Sequence, residues 1–295
     1  MSYSERILVT GAGGFIGRHM ISALEAAGRS CSPWTREDGN LFDESIVKSR
    51  LMSMKPSLIL HLAALPADQA KEDAKVAVSN EIRMIRNLAT SMPIECRLVF
   101  TGSMAEYGYS GYLGEDDICK PQTIYGAAKL GCTNYALSTR AKQSLDIRVA
   151  RLFGVYGLGE MPTRLFPYLV SQLIAGKSVS LSDGSQCRDF VGVADVCSSI
   201  INIADASEPP SPLINIGTGI GVTVREACEM VAEVLAVDPS LLRFGEVPRR
   251  SVDEDFLVAK TDLLAKLGPI PQQHWLSKDA ISDFIEQLAT FQRDS

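Results

Sequence analysis

Near the start of the chain, a short apolar strand runs directly into a glycine-rich turn, and this feature constrains the fold more than any other. Arg6-Ile7-Leu8-Val9-Thr10 has the composition of a buried strand, and Gly11-Ala12-Gly13-Gly14-Phe15-Ile16-Gly17 follows it without a linker. A helical pattern then extends from Arg18 to Ala27. Strand, tight turn and helix in this order are typical of the first unit of a doubly wound parallel α/β sheet that binds a dinucleotide.

The residues of the turn have separate expected roles in such a unit. Gly11 permits the tight turn, Gly14 lets the backbone approach a pyrophosphate, and Gly17 lets the helix pack closely on the strand. Phe15 and Ile16 lie between these glycines and are expected to contact the cofactor. Free N–H groups at the start of the helix attract phosphate oxygens. We therefore predict a dinucleotide site at this turn.

The end of the second strand indicates which dinucleotide is used. An acidic residue at this point accepts a hydrogen bond from a free ribose hydroxyl, whereas arginine complements a 2′-phosphate. Thr35 and Arg36 stand here, and Leu41 follows in a short segment expected to border the adenine. The sequence therefore favours NADP(H). NAD(H) stays possible, because Arg36 is alternatively a solvated loop residue whose field Glu37 and Asp38 partly neutralise.

Composition excludes several classes of partner. The chain has 295 residues, 46% of them hydrophobic, and a net charge of −6 without a dense basic stripe, so neither nucleic acid nor an anionic membrane is an expected partner. The seven cysteines and three histidines form no zinc-binding or disulfide pattern, so no metal is expected. With no signal peptide or membrane-spanning run in sight, we expect a cytoplasmic protein.

Apolar strands alternate with helical segments along the first half of the chain. The further strands are expected at 58–64, 97–102 and 145–153, and a strand between Arg36 and Asp43 is either abbreviated or missing. Such alternation indicates a doubly wound parallel Rossmann sheet. We expect a dinucleotide-binding domain over residues 1–160 and a smaller α/β substrate lobe over 161–295, with about 188–205 returning to the Rossmann sheet.

Three polar residues form a candidate catalytic set. Tyr125 and Lys129 are four residues apart on a predicted helix and project from one face, while Ser103 follows a buried strand. A phenol ordinarily titrates near ~10, so a tyrosine that moves protons near neutrality needs its pKa lowered by about 3 units. A lysine beside the phenol, together with a nicotinamide cation, favours the phenolate. This set suits redox chemistry on a carbinol or ketone.

Other positions at the carboxyl ends of the strands are expected to line the cofactor. Leu62, Ala63 and Ala64 are small or apolar residues that allow close approach, and Thr101 lies two residues before Ser103. Asn80 is expected to begin a helix and to tie the active-site strands together, or else to be an exposed helix residue. His61 is interpreted as a packed strand residue rather than a catalyst.

Taken together, these motifs resemble the nucleotide-sugar epimerase, dehydratase and reductase branch of the extended short-chain dehydrogenase/reductase family. The resemblance covers nearly the whole chain. Its motifs are Gly11–Gly17, His61–Ala64, Ser103 before Glu106-Tyr107-Gly108, Tyr125 with Lys129, Arg151–Gly157, Asp183–Phe190 and Asn215–Gly219.

The resemblance implies a role for residues that the motifs alone do not explain. Ser103, Tyr125 and Lys129 would be the catalytic set, and Phe153 would lie near the nicotinamide. The expected substrate is a nucleoside-diphosphate sugar, held by Ser103, Met104, Arg164, Arg188 and Arg249 or Arg250. For Arg164 a surface role is equally consistent. Relatives pair through the helix that carries Tyr125, so a homodimer is expected.

Departures from the family pattern narrow the function. Gly154 stands where an Asn usually contacts the sugar, and Met104 and Ala105 replace the acids of 4,6-dehydratases, so dehydration is not expected. The ending Thr35-Arg36 favours an NADPH-dependent reductase of the C4 ketone of a nucleotide-linked 4-keto-6-deoxy sugar. A UDP-hexose 4-epimerase that retains NAD is the first alternative. A non-catalytic protein that senses NAD(P) is the alternative of another class.

Overall fold

The computed structural model describes residues 5–64, 74–249, 253–268 and 277–293. In chain order its elements are β1 (Ile7–Thr10), α1 (Phe15–Ala26), β2 (Cys31–Trp34), α2 (Glu44–Met54), β3 (Leu58–His61), α3 (Ala74–Ser91), β4 (Arg97–Ser103), β5 (Gly111–Leu113), α4 (Ile124–Gln143), β6 (Asp146–Leu152), β7 (Gly154–Tyr156), α5 (Leu165–Ile174), β8 (Val179–Leu181), β9 (Cys187–Arg188), β10 (Phe190–Gly192), α6 (Val193–Asp205), β11 (Leu213–Ile216), β12 (Val222–Thr223), α7 (Val224–Val234), β13 (Leu242–Phe244), β14 (Phe256–Ala259), α8 (Asp262–Ala265) and α9 (Lys278–Arg293).

A six-stranded parallel sheet with the order β11-β6-β4-β3-β1-β2 forms the centre of the fold. Successive residues of each strand point to opposite faces, so Val9 packs with α1 and α6 while Leu8 packs with α2, α3 and α4. Both faces are therefore covered, and the strands read as continuous apolar runs. The predicted doubly wound Rossmann fold is confirmed.

Strand β2 forms one edge of this sheet, and the segment that follows it is short. No strand forms between β2 and α2, so of the two sequence expectations the missing third strand is the one observed. Trp34 is buried and its Nε1 donates to the Gly39 carbonyl oxygen at 2.9 Å, which turns the chain back toward the sheet. Asp43 then caps α2 by accepting from the Ser45 and Ile46 N–H groups.

Two element boundaries differ from the sequence expectations. Helix α3 begins at Ala74, so Asn80 lies inside the helix and the expectation that it begins the helix was wrong. Strand β11 (Leu213–Ile216), from a part of the chain expected in the substrate lobe, pairs with β6 as an edge of the central sheet. Its apolar side chains are buried on both sides of that sheet, which favours this position.

The smaller lobe consists of short sheets that pack on α5, α7 and α9. One mixed sheet has the order β12-β9-β14-β5, and because β5 comes from the first half of the chain, this sheet joins the lobe to the region after β4. Asp189 is buried between the parts and accepts hydrogen bonds from the N–H groups of Thr218, Gly219 and Ala259 and from the Thr218 hydroxyl. These bonds hold the ends of β11 and β14 together.

Among the described helices, none combines the length and apolar character needed to cross a bilayer. Within the same residues, no group of three or more histidine, cysteine or acidic side chains is arranged to hold a metal ion.

Candidate active site

The glycine turn lies at the carboxyl end of β1, where close backbone contacts leave no room for side chains. Gly11 has φ +70°, and a Cβ atom there would lie 2.5 Å from the Ala63 nitrogen. A Cβ on Gly17 would lie 2.1 Å from the Gly11 carbonyl oxygen. The turn, the start of α1 and the chain after β3 therefore pack backbone to backbone, as a dinucleotide fingerprint requires.

The residues present at this turn fit a dinucleotide. Helix α1 has Gly14 as its N-cap residue and receives no side-chain cap, so the backbone at its start is open to an anion. A Cβ on Gly13 would meet only the Thr35 methyl group, at 4.0 Å. Phe15 and Ile16 are half-buried at the start of the helix. The space above the turn is shaped for phosphate rather than for a side chain.

After β2, where the sequence predicts the ribose site, one of the two acids that follow Arg36 folds back onto Thr35. Asp38 folds back so that its carboxylate accepts from the Thr35 N–H at 2.8 Å and from the Thr35 hydroxyl at 3.0 Å. These hydrogen bonds and the nearby Arg50 guanidinium lower the pKa of Asp38. Arg36 is exposed. The Asn87 amide donates to the Leu41 carbonyl oxygen at 3.0 Å and fixes the following segment.

Ser103 ends β4 and caps a short 3-10 turn formed by Met104, Ala105 and Glu106. Its Oγ accepts from the Ala105 N–H at 3.2 Å, and its own N–H donates to Glu106 Oε1 at 2.8 Å. This reciprocal capping box holds the half-buried Ser103 side chain at the carboxyl edge of the sheet. The hydroxyl hydrogen stays available to a ligand oxygen.

Glu106 connects three elements of the site. Its Oε2 accepts two hydrogen bonds from Arg151, at 3.0 and 2.9 Å, and its Oε1 accepts from the Thr133 hydroxyl at 3.1 Å. Glu106 and Arg151 are both buried. The carboxylate therefore ties the end of β4 to β6 and to α4, and its oxygens are engaged within the protein.

Tyr125 is held close to the turn that begins at Ser103 because its neighbour is glycine. A Cβ on Gly126 would lie 2.2 Å from the Ala105 carbonyl oxygen, so only glycine lets α4 approach this closely. The Thr123 hydroxyl accepts from the Gly126 N–H at 3.0 Å and starts the helix. Tyr125 is half-buried. The sequence identified Tyr125 but not the glycine that places it.

Lys129 lies one helical turn further along α4 and is 2% exposed. Its Nζ is 3.4 Å from the Thr101 carbonyl oxygen and 3.4 Å from Glu81 Oε2. Burial, the largest single influence, acts to lower the pKa of Lys129, but the charges of Glu81 and the groups around it together outweigh burial, and the pKa is raised. Asn80, which the sequence predicted to tie the active-site strands together, is half-buried and precedes Glu81 on α3. Glu81 was missed, although it falls on the buried face of α3 with Ile85 and Leu88.

His61 has the packed role expected from the sequence. Its Nδ1 is 2.7 Å from the Thr10 hydroxyl, its ring contacts Phe100, and it is fully buried. Burial, together with Lys129, lowers the pKa of His61 to about 3, so the ring is neutral at ordinary pH. The Thr101 hydroxyl donates to the His61 carbonyl oxygen at 3.3 Å.

Two of the arginines expected at a diphosphate come together in the smaller lobe. Arg188 donates to Asp253 at 2.6 Å, and Arg249 lies 2.8 Å from an Asp255 carboxylate oxygen while also donating to the Asp253 carbonyl oxygen at 3.3 Å. Both guanidinium groups therefore contact the segment 253–255. Arg250 lies outside the described residues.

Arg164 is placed differently, on the surface before α5. Its side chain is 63% exposed and pairs with Glu160 at 3.3 Å. Glu160 is half-buried, with 9% of its side chain exposed, and its other oxygen has no hydrogen-bond partner among the described residues. Burial raises the pKa of Glu160 to about 7. The sequence did not single out Glu160, because burial of a loop carboxyl depends on the fold around it.

An apolar surface adjoins Ser103. Met104 is half-buried against a cluster that includes Tyr107, Phe153 and Leu257, with the Tyr107 and Phe153 rings 6.2 Å apart. Gly154, the next residue, packs against Asp189: a Cβ there would lie 2.6 Å from the Asp189 carbonyl oxygen. The small residue that departs from the family pattern is thus required by this contact.

A family model for the NAD dependent epimerase/dehydratase family matches residues 7–217, which span the central sheet, the glycine turn and the Ser103, Tyr125 and Lys129 set. The chain belongs to this family. It is therefore an enzyme, and the alternative of a non-catalytic sensor is set aside.

Individual relatives of this family member act on nucleotide sugars. A GDP-6-deoxy-D-talose 4-dehydrogenase of Aggregatibacter actinomycetemcomitans is 28% identical over 241 residues, covering 78% of this chain and 80% of that protein. A UDP-glucose 4-epimerase of Rhizobium meliloti (strain 1021) is 26% identical, covering 91% and 93%. The structure of MoeE5 in complex with UDP-glucose and NAD is 27% identical, with a TM-score of 0.81, covering 97% and 99%.

Proposed function

We propose that this enzyme is an NADPH-dependent reductase of the C4 ketone of a nucleotide-linked 4-keto-6-deoxy sugar. The observation that carries the proposal is the pairing of a Ser103, Tyr125 and Lys129 set with an apolar surface at Met104. In this site a proton donor and a hydroxyl act on an oxygen, and among the described residues no carboxyl beside Ser103 is free to expel water.

The chain's own groups have distinct tasks in such a reduction. Bound NADPH supplies the hydride. Tyr125 gives its phenolic proton to the oxygen that was the C4 ketone, while the Ser103 hydroxyl donates a hydrogen bond to the same oxygen. Lys129, held within the protein by Thr101 and Glu81, provides positive charge beside the phenol and a donor for the cofactor ribose.

The surroundings of Ser103 support a deoxy sugar. Glu106 is the carboxylate nearest to Ser103 in the turn, and both of its oxygens accept hydrogen bonds from protein groups, so it is poorly suited to deliver a proton. Met104 presents a thioether and a methyl group to the site. A 6-hydroxyl group of the sugar placed against them would lose its hydrogen bonds to water. A methyl group at C6 suits this surface better.

Arg188 and Arg249 are the proposed contacts of the diphosphate, with Arg250 as the third candidate. Guanidinium groups match phosphate oxygens through paired hydrogen bonds, and these two side chains are already directed by backbone oxygens of the lobe. Phosphate would then replace the Asp253 and Asp255 carboxylates as the partner. Arg164 is too exposed to be a strong candidate and is proposed to stay with Glu160.

NADP(H) is the proposed cofactor because Arg36 is exposed at the end of β2 and is free to approach a 2′-phosphate. NAD(H) is the second candidate, since the Asp38 carboxylate lies at Thr35. The second candidate function is an NAD-retaining UDP-hexose 4-epimerase. It is favoured by the same carboxylate and by the 26% sequence identity to a UDP-glucose 4-epimerase.

Cofactor exchange separates the two candidates, because a reductase releases oxidised cofactor in each cycle and an epimerase keeps it. Purified protein is expected to carry little dinucleotide and to oxidise one added NADPH per nucleoside-diphosphate 4-keto-6-deoxyhexose consumed. The measurement is NADPH absorbance with product analysis, after acid release and quantification of any bound cofactor. Tightly bound NAD, with interconversion of UDP-hexoses and no added cofactor, would establish the epimerase instead.

A further inference from the structure

Lys129 shares its buried site with an acidic residue from the neighbouring helix. Glu81 Oε2 lies 3.4 Å from Lys129 Nζ, and the two side chains are 4% and 2% exposed. Two charges are removed from water at a high cost in free energy unless they are paired, so their presence together indicates a built pair. The pair also joins α3 to the helix that carries Tyr125.

The ammonium group of Lys129 is already partly saturated by the protein. An ammonium has three N–H donors. Glu81 Oε2 and the Thr101 carbonyl oxygen are placed to accept two of them. The Phe100 ring, with its centroid 5.1 Å from Nζ, closes another side. Lys129 is therefore held in one orientation before any ligand binds.

Two of the other titratable groups around Lys129 are neutral at ordinary pH. Cys132, from the same helix, has its pKa raised to about 12 by burial. His61, from β3, has its pKa lowered to about 3 by burial and by Lys129. Tyr125, from the first turn of α4, is the remaining group on that helix whose charge acts on Lys129. Neither Cys132 nor His61 therefore places a negative charge beside Lys129 near neutrality.

Two carboxylates do act on Lys129, and they differ in their partners. Glu106 lies in the turn after Ser103, and its Oε2 accepts two hydrogen bonds from Arg151. The positive charge of Arg151 offsets the charge of Glu106. Glu81 is paired with Lys129 directly. Glu81 is therefore the carboxylate whose removal changes the electrostatic potential at Lys129 most.

We propose that Glu81 is a positioning residue whose carboxylate fixes Lys129 and holds a proton on the Lys129–Tyr125 pair, thereby setting the pH range in which Tyr125 acts as an acid. Glu81 acts through Lys129 and needs no contact with the substrate. Its role rests on the proposed function of Tyr125 and Lys129.

The sign of the effect follows from coupled titration. When two groups interact strongly, the first proton to leave belongs to the pair, and one more negative charge nearby holds that proton more tightly. In Glu81→Gln the charge is lost, but the amide oxygen and the Thr101 carbonyl oxygen still accept from Lys129. Lys129 therefore keeps its proton, and the phenol of Tyr125 loses its proton at lower pH.

The experiment titrates the phenolate of Tyr125 by ultraviolet difference absorbance, using the full chain without substrate. Each protein is compared with the same protein carrying Tyr125→Phe, so that the difference reports Tyr125 alone. Glu81→Gln is expected to move the titration of Tyr125 to lower pH by roughly 0.5 to 1 unit. Glu81→Asp keeps the charge but withdraws it from Nζ, so its midpoint is expected between those of Glu81→Gln and the native chain.

Glu95→Gln is the matched control, since Glu95 is exposed just before β4, at the opposite edge of the sheet, and undergoes the same change of charge. A shift as large in Glu95→Gln, no shift in Glu81→Gln, or a shift to higher pH would overturn the proposal. If Glu81→Gln fails to fold, the shift in Glu81→Asp decides. A failure of the proposed function would appear separately. The keto sugar would then not be turned over, while the titration midpoints of Glu81→Gln, Glu81→Asp and the native chain would keep their expected order.

Discussion

Among single residues, Tyr125 is expected to be the group without which turnover stops. Tyr125→Phe removes only the hydroxyl that transfers the proton, so turnover should be abolished while NADPH binding is nearly unchanged. Ser103→Ala should lower kcat by about 10²- to 10⁴-fold, because the ketone oxygen loses one hydrogen bond. Steady-state kinetics with a nucleoside-diphosphate 4-keto-6-deoxyhexose, together with cofactor titration, measures both effects.

Tyr112→Phe is a suitable control for these variants, since the Tyr112 side chain is 59% exposed on β5 and has no expected role in proton transfer. It should retain native kinetics. Turnover by Tyr125→Phe close to that of Tyr112→Phe would sink the mechanism.

We predict that two side chains of opposite charge, Arg36 and Asp38, decide the choice of cofactor. Arg36→Ala should weaken NADPH binding by about tenfold and leave NADH binding unchanged, because a single exposed charge-assisted hydrogen bond to phosphate is lost. Asp38→Asn removes the carboxylate at Thr35 and should strengthen NADPH binding relative to NADH. Dissociation constants of both cofactors are measured by fluorescence.

Lys48→Ala removes an exposed charge on α2 and is the control for both variants. Equal affinity of the native chain for NADH and NADPH would contradict the assignment of NADP(H).

Among the secondary-structure elements, α4 is placed by the absence of a side chain at Gly126. In Gly126→Ala, helix propensity improves by up to ~1 kcal/mol, but the new methyl group meets a backbone oxygen and overpacking costs about 1 to 3 kcal/mol. The clash should win, so kcat should fall because Tyr125 moves away from the turn that carries Ser103. Kinetics and thermal unfolding are measured on the same samples.

Gly131→Ala provides the matched substitution on the same helix. Its Cβ would meet the end of the flexible Ile82 side chain at 3.2 Å, which is able to move, so native activity is expected. If Gly126→Ala is as active as Gly131→Ala, the close approach of α4 is not needed for catalysis.

For the molecule as a whole, Glu160 should make stability depend on pH. Its pKa is raised from the ordinary 4.5 to about 7 by burial, so the folded state binds this proton more tightly than the unfolded chain does. The free energy of unfolding contributed by Glu160 is therefore fully present below pH 4.5 and is lost as the pH rises through about 7. Glu160→Gln should remove this slope and be more stable than the native chain at pH 8, by about 2 kcal/mol.

Chemical denaturation between pH 5 and pH 8 measures the slope, with Glu208→Gln as the exposed control. If the free energy of unfolding contributed by Glu160 does not change with pH over this range, Glu160 is ionised in the folded protein.

Assembly is the second property of the whole molecule. We predict a homodimer formed through α3 and α4, whose outer surface on α4 includes the small polar residues Asn134 and Ser138. Light scattering should give twice the chain mass of 32.0 kDa, and Asn134→Arg should shift the mass toward the monomer because it adds charge at the proposed contact. A native mass of 32.0 kDa at micromolar concentration would refute the dimer.

The sequence by itself determined the features that depend on local order along the chain. The strand, the glycine turn and the helix at Gly11–Gly17 predicted the Rossmann fold, because only this order brings helix N–H groups and a tight turn together at a strand end. The four-residue spacing of Tyr125 and Lys129 likewise predicted that they project from one face of a helix, and both residues lie on α4. The position of β11 at the edge of the central sheet could not be read in this way, since its partner β6 is distant in sequence.

Only the tertiary structure decided how charges are paired. Asp38 returns to Thr35 because the loop after β2 bends around Trp34, and Glu81 meets Lys129 because α3 and α4 lie side by side on the sheet. Both contacts depend on burial and on separations of a few ångströms between side chains. Electrostatic interactions are set by such distances and by the loss of solvent, neither of which a linear spacing of residues specifies.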